Sequence, residues 1–174
     1  MIALVHLGDV DPSLLHGLSE QLELAYRRKV EHLSPLPLPN EAYNKKRLQF
    51  LSTAILKRLF PLRIPGRERV LGIADVDLYV PGLNFVFGEA DPKEGVAVFS
   101  LFRLKPESGT SSDEGLLRRR ALTEAVHELG HTYGLGHCPN PRCVMFFSNS
   151  LGDTDRKGPG FCRRCEGRLF EKAG

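Results

Sequence analysis

Three histidines and a glutamate fall within eleven residues, His127-Glu128-Leu129-Gly130-His131-Thr132-Tyr133-Gly134-Leu135-Gly136-His137, a run that reads HExxHxxGxxH. Positions four apart on a helix share a face, so His127 and His131 can hold one metal ion between them. Gly134 lets the backbone leave the helix, because glycine tolerates positive φ, and the bend can swing His137 back as a third ligand. Three neutral nitrogens leave one tetrahedral position of a zinc ion open, which separates a catalytic zinc from a structural one. Glu128 follows the first histidine and can sit beside the metal without ligating it, as general base for a water at that open position. With 6 His and 17 Gly in 174 residues, chance supplies this string about 5 × 10⁻⁵ times per chain, which sets aside an ordinary amphipathic helix with exposed histidines.

All four cysteines follow this run: Cys138, Cys143, Cys162 and Cys165, spaced C-x4-C and C-x2-C across a loop of eighteen residues. Two such knuckles are similar to a structural Zn(Cys)₄ site. Two disulfides or four free thiols are the alternatives, and a reducing compartment disfavours the disulfides. A closed thiolate shell does no chemistry, and its metal would serve to fold the segment around it. Cys138 directly follows His137, so this second metal would also anchor the third histidine.

Elements must be found to position these residues. Residues 1–8 read as a buried strand, and Asp11-Pro12-Ser13 reads as the start of a helix with apolar residues from Leu14 through Tyr26 to Val30. Three prolines, Pro35, Pro37 and Pro39, enforce an extended connection. Asn40 is read as the cap of a second helix ending at Pro61, with Leu48, Leu51, Ile55, Leu56 and Leu59 as its apolar positions. Arg69–Val76 and Val96–Leu104 read as strands, with Asn84–Gly88 a short one between them, and Gly109–Ser112 as a loop. The zinc helix then runs from about Asp113 to Tyr133, with Ser111 and Glu114 at capping-box spacing and Leu122, Ala125, Val126, Leu129 and Tyr133 turned towards the sheet. The order implies an α/β or α+β architecture in one domain, 1–174. An upper lobe, 1–134, carries the zinc helix, and a small irregular lower lobe, 135–174, is too poor in apolar residues to fold on burial alone.

The bulk properties narrow the class. A hydrophobic fraction of 41% is ample for a core, and no apolar run is long enough to span a membrane. The N-terminal MIALVHLGDV lacks the basic and apolar regions of a secretory signal, so the expected compartment is the cytoplasm. A net charge of +3 does not argue for nucleic acid, and the runs Arg118–Arg120 and Arg163-Arg164 are read as solvated faces. The chain is expected to act as a monomer.

Met145 lies eight residues after His137, where a Met-turn would underlie an extended zinc motif. HExxHxxGxxHC followed by Cys143-Val144-Met145 and Cys162-x-x-Cys165 resembles the archaemetzincin family of the metzincin clan. Gly72–Ala90 and Gly95–Leu104 also look like the central part of that family. The resemblance covers residues 69–165 well and the first sixty loosely. It implies a metzincin-like zincin fold, in which a mixed twisted sheet with a backing helix and an active-site helix stands over a zinc-stabilised C-terminal lobe. It also implies two zinc ions per chain. His127, His131 and His137 match the family's catalytic ligands, Glu128 its general base, Met145 its Met-turn, and Cys138, Cys143, Cys162 and Cys165 its second zinc site.

The expected function is therefore hydrolysis of peptide bonds by a zinc-bound water that Glu128 activates, on a peptide or protein held extended across the metal. A hydrolase of other amides or esters is close behind. A non-catalytic two-zinc scaffold using the cysteine lobe for protein or nucleic-acid contacts is the alternative, and the intact Glu128 argues against it. Strand Val96–Leu104, the last before the zinc helix, is the expected docking edge, and Phe146–Asn149 the expected wall of the pocket beyond the scissile bond.

Overall fold

The apolar run Ile2–Leu7 (β1) lies inside a five-stranded sheet, as a strand buried on both faces should. The computed structural model describes residues 1–107 and 111–171, without the side chains of Ser111 and Ser112. Pro12–Tyr26 (α1) follows β1, opened by Asp11, whose side chain accepts from the Ser13 N–H at 2.9 Å. Strands Val30–His32 (β2), Arg69–Ala74 (β5), Gly88–Asp91 (β7) and Val96–Ser100 (β8) complete the sheet in the order β2-β1-β5-β8-β7. Only β7 runs antiparallel. Tyr43–Asn44 (β3), Gln49–Leu51 (β4) and Leu78–Tyr79 (β6) form a second, three-stranded sheet. Ser52–Leu59 (α2) leads towards β5, and the long Ser111–Thr132 (α3) follows β8.

Alternation along the central strands sorts two cores. Ile2, Leu4, Leu71, Ile73, Ala97 and Phe99 face α1 and α3, where Leu18, Leu22, Ala125, Val126 and Leu129 meet them. Ala3, Val5, Val70, Val96 and Val98 face α2, through Ile55, Leu56 and Leu59. The result is an α/β fold in three layers.

Several expectations are corrected. Val30 belongs to β2, not to the first helix, because Arg27 turns left-handed (φ 53°) and ends α1. The helix expected from Asn40 is a single 3₁₀ turn, Asn40–Ala42. Beyond it, the Asn44 side chain accepts from the N–H groups of Lys46 (3.0 Å) and Arg47 (3.2 Å), which turns the chain into the β3–β4 hairpin, and α2 begins only at Ser52. Strand Val96–Leu104 stops at Ser100, where a 3₁₀ turn, Phe102–Leu104, takes over, and β8 is an inner strand between β5 and β7. The edge strand beside β8 is β7, which starts at Gly88, where the expected short strand Asn84–Gly88 ends. The expected loop Gly109–Ser112 is corrected at its end, because α3 already begins at Ser111; Gly109, Thr110 and the Ser111 side chain of the capping box lie outside the described residues.

The C-terminal segment is more regular than its composition suggests. It holds Leu151–Lys157 (α4) and Arg163–Glu171 (α5). Ser150 caps α4, its Oγ accepting from the Asp153 N–H at 3.3 Å, and Gly158 (φ 61°) ends it. The arginine run is not a solvated face throughout. Arg120 is buried and grips Asp155 of α4 through Nε (2.8 Å) and Nη2 (2.7 Å), while Arg119 donates to the Asp155 carbonyl at 3.0 Å. These bonds dock the C-terminal segment onto α3.

Candidate metal and active site

Helix α3 buries Ala125, Val126 and Leu129 against the sheet and turns Glu124, His127, Glu128 and His131 to another side. Residues three and four apart share that stripe. His127 Nδ1 donates to the Val144 carbonyl at 2.7 Å, and His131 Nδ1 to the Leu135 carbonyl at 2.8 Å. Those bonds fix both tautomers. Each Nε2 then carries a lone pair, and the two face each other at 3.1 Å with no proton between them. Such a pair calls for a cation. Gly134 (φ 81°) turns the chain after α3, with its N–H donating to His131 at 2.9 Å, and brings His137 round as the sequence predicts. One nitrogen from each of His127, His131 and His137 can be chosen so that all lie within 4.8 Å of one another. Burial, then the nearby Lys157 ammonium, holds His127 well below its ordinary value, and burial also lowers His131 and His137. Neutral imidazoles are the form a metal needs.

Glu128 stands beside them, 5% exposed. Burial first, and then the Glu124 carboxylate, pushes its carboxyl well above the ordinary range. Strand β7 approaches edge-on only because residue 88 is glycine. A Cβ there would lie 2.7 Å from the Glu128 carboxylate.

The turn around Met145 supports the helix from below. Phe146 N–H donates to the Cys143 carbonyl at 2.8 Å, closing the turn, and Cys138 N–H donates to the Met145 carbonyl at 2.9 Å. Met145 is fully buried against Gly130, where a Cβ would meet its sulfur at 2.5 Å. Gly130→Ala should therefore displace the turn, and with it the Val144 carbonyl that orients His127. We expect a loss of about 1–3 kcal/mol, the usual cost of overpacking, with weakened zinc retention. Chemical denaturation and zinc analysis of the purified variant check this, and unchanged values for both would remove Met145 from the support of the site.

Two charged residues that the motif did not reveal complete the surroundings. Lys157 of α4 is wholly buried, with Nζ 3.2 Å from Glu124 Oε1, 3.2 Å from the Phe146 carbonyl and 3.3 Å from His127 Nδ1. Thr154 adds a hydroxyl to Glu124 Oε1 at 2.9 Å. Glu124 was findable, since it precedes His127 by three and Glu128 by four on one helix. Lys157 was not, because its sequence context is that of any basic residue at a helix end.

The four cysteines gather 3.9 Å apart at the Cys138–Cys162 pair, and all four sulfurs lie within 4.8 Å. Cys162 N–H points at the Cys143 sulfur (3.4 Å), and Val144 N–H donates to the Gly160 carbonyl at 2.8 Å. Burial pushes the Cys143 and Cys165 thiols up. Burial pushes Cys162 up too, but a backbone N–H from Cys165 and the neighbouring thiols outweigh it and bring Cys162 to about 7. A cluster of four sulfurs with a first proton this readily lost has the donor set of a thiolate zinc site.

Beside the histidines lies a cavity of about 260 Å³. It is lined by Leu83–Gly88, by Glu124, His127 and Glu128, and by Phe147–Asn149. The wall expected from Phe146–Asn149 is thus formed by its last three residues.

A layered α/β fold with three convergent imidazoles, a buried glutamate and a separate thiolate cluster defines the class of two-zinc hydrolases. Residues 25–171 match the model of peptidase family M54. A relative named archaemetzincin from Pyrococcus furiosus is 45% identical over 181 residues, covering 100% of this chain and 94% of its own. The crystal structure of archaemetzincin from Methanopyrus kandleri superposes with a TM-score of 0.85 at 40% identity, covering 99% of this chain and 95% of that one. A zinc-dependent peptidase from Methanocorpusculum labreanum does so with a TM-score of 0.88 at 33% identity, covering 97% and 100%. The chain belongs to peptidase family M54, the archaemetzincins, and is a zinc metallopeptidase acting on peptides. The likeness extends well beyond residues 69–165.

Proposed function

We propose that His127, His131 and His137 hold the catalytic zinc, that Glu128 is the general base, and that Cys138, Cys143, Cys162 and Cys165 hold a structural zinc. The observation that carries this reading is the pair of Nε2 lone pairs aimed at one point beside a buried carboxylate. Held by those three imidazoles, a zinc ion would supply Lewis acidity to a substrate carbonyl and lower the pKa of a bound water. Glu128, with its raised proton affinity, takes the proton of the attacking water and returns it to the departing amine. Residues 1–134 form the upper lobe and 135–174 the lower lobe of one catalytic domain, joined by the Arg120–Asp155 and Lys157–Glu124 pairs. Four unpaired cysteines assembled as ligands suit a reducing, cytoplasmic setting. We read the chain as a monomer that has no nucleic-acid partner.

The substrate lies extended along β7. Ser100 N–H donates to the Phe87 carbonyl, so residues 87, 89 and 91 bond to β8 and the N–H and C=O groups of Gly88 and Ala90 face outward. A peptide pairing with Gly88 and Ala90 passes directly over Glu128, which sits against Gly88. Ala90→Pro removes one outward donor, which an edge strand tolerates. It should weaken a peptide-like hydroxamate inhibitor about 5- to 30-fold with the fold intact. Ala97→Pro, on the fully buried β8, should unfold the protein instead. Titration calorimetry and circular dichroism read both. Full inhibitor affinity in a folded Ala90→Pro variant would end the β7 reading.

A further inference from the structure

We infer that the cavity beside the catalytic histidines selects a substrate side chain with an apolar body and a hydrogen-bond-donating tip, tyrosine being the neutral case, and that Glu124 and Ser148 are the residues that read the tip. The inference deepens the peptidase reading and rests on it for the path of the substrate along β7.

The walls favour an aromatic body. Phe85, Phe87 and Phe147 line the cavity, with Phe85 and Phe87 in edge contact at 5.2 Å between ring centres. The volume, about 260 Å³, has room for a phenyl ring with a substituent. Its polar end is less ordinary. Glu124 lines the cavity although it is 2% exposed. Among the described residues, the bonds it accepts, from Thr154 and Lys157, both fall on Oε1. Lys157, which balances the charge of Glu124, is not among the lining residues, so the cavity meets the carboxylate and not the ammonium. Ser148, which also lines the cavity, has its Oγ buried without a hydrogen-bond partner. An orphaned buried hydroxyl is costly and rare, and a ligand group that satisfies it recovers that cost. The ionisable residues lining the cavity are Glu124, His127 and Glu128, with no lysine or arginine among the described lining, so an acidic side chain would enter against its own charge.

A site built to bond a hydroxyl discriminates against the analogue lacking it, because its own polar groups are then left unpaired. The test uses zinc-loaded protein and four peptide-like hydroxamates that differ only in the side chain presented to the cavity: 4-hydroxybenzyl, benzyl, isobutyl and carboxyethyl. Equilibrium binding should rank 4-hydroxybenzyl at least 10-fold tighter than benzyl, and carboxyethyl weakest by at least 100-fold. Ser148→Ala should cut the hydroxybenzyl-to-benzyl ratio to about 3 or less. Glu124→Gln should relieve the rejection of carboxyethyl. Because that variant disturbs the buried pair with Lys157, its zinc content and circular dichroism are read alongside, and Ser148→Ala alone suffices to decide. Equal binding of the two aromatic ligands, or a ratio unmoved by Ser148→Ala, overturns the inference. Cleavage of matched peptides is measured separately: a binding preference without cleavage of any peptide would defeat the peptidase reading and leave this one standing.

Discussion

Glu128→Gln will keep both zinc ions and the native fold and lose about 10²–10⁴-fold in peptide turnover, the usual contribution of a positioned proton carrier. Glutamine preserves the volume beside Gly88 but cannot accept the proton. The same change carries a second, opposite signature. The folded-state pKa of Glu128 is raised above its ordinary value of 4.5, so between those two values the folded protein binds more protons than the unfolded one. By linkage, stability then falls as pH rises above 4.5. Zinc-free Glu128→Gln should therefore be more stable than the zinc-free parent at pH 7.5, by about 1 kcal/mol or more given the desolvation scale of a buried polar group. In a chain of this length that is roughly 2–4 °C in the unfolding midpoint, and the gain should vanish near pH 4. A midpoint that drops at pH 7.5, or a variant that turns over peptide at the parental rate, would remove Glu128 from its role. Stabilisation with loss of activity is the expected mark of a residue kept for chemistry.

The zinc motif was legible because its information is local. His127, Glu128 and His131 share a helical stripe whatever surrounds them, and Gly134 needs only its own backbone freedom to turn His137 inward. The cysteine cluster was legible for the same reason, through its spacing. What was lost depended on tertiary partners. Asn40 looks like a helix cap, yet the turn bonds of Asn44 four residues later win and give a hairpin. Val96–Ser100 looks like a docking edge because it precedes the zinc helix, but its unbroken burial is that of an inner strand, whereas Gly88–Asp91, with polar residues and a glycine, has the composition of an edge. Lys157 could not be read at all. A buried ammonium is chosen by the carboxylate it meets, and Glu124 lies 33 positions away in sequence, on another helix.

Chelation will separate the two metal sites, and the order of loss tests how the lobes depend on each other. The fully loaded protein should contain two zinc ions per chain. The histidine site includes an exposed ligand, His137, and keeps an open coordination position, so a chelator should empty it first and leave the circular dichroism spectrum unchanged. The cysteine site is different. Its sulfurs are mostly buried, and the buried apolar side chains of the segment around it are Leu135, Val144, Met145 and Leu169, with Leu151, Phe161 and Phe170 only partly buried. Binding free energies of roughly 10–16 kcal/mol are typical of structural zinc in small domains, and there they are folding free energies. Removing this ion should unfold the lower lobe. Unfolding would withdraw the Val144 carbonyl from His127 and carry away His137, which is bonded to Cys138, so the catalytic site must fail as well. The dependence runs one way: loss of the histidine-bound zinc spares the cysteine site, but Cys165→Ser should cost both ions. Elemental analysis of that variant, beside His131→Ala, gives the answer. If Cys165→Ser retained one zinc at the histidines in a folded protein, the lower lobe would not be what positions the third ligand.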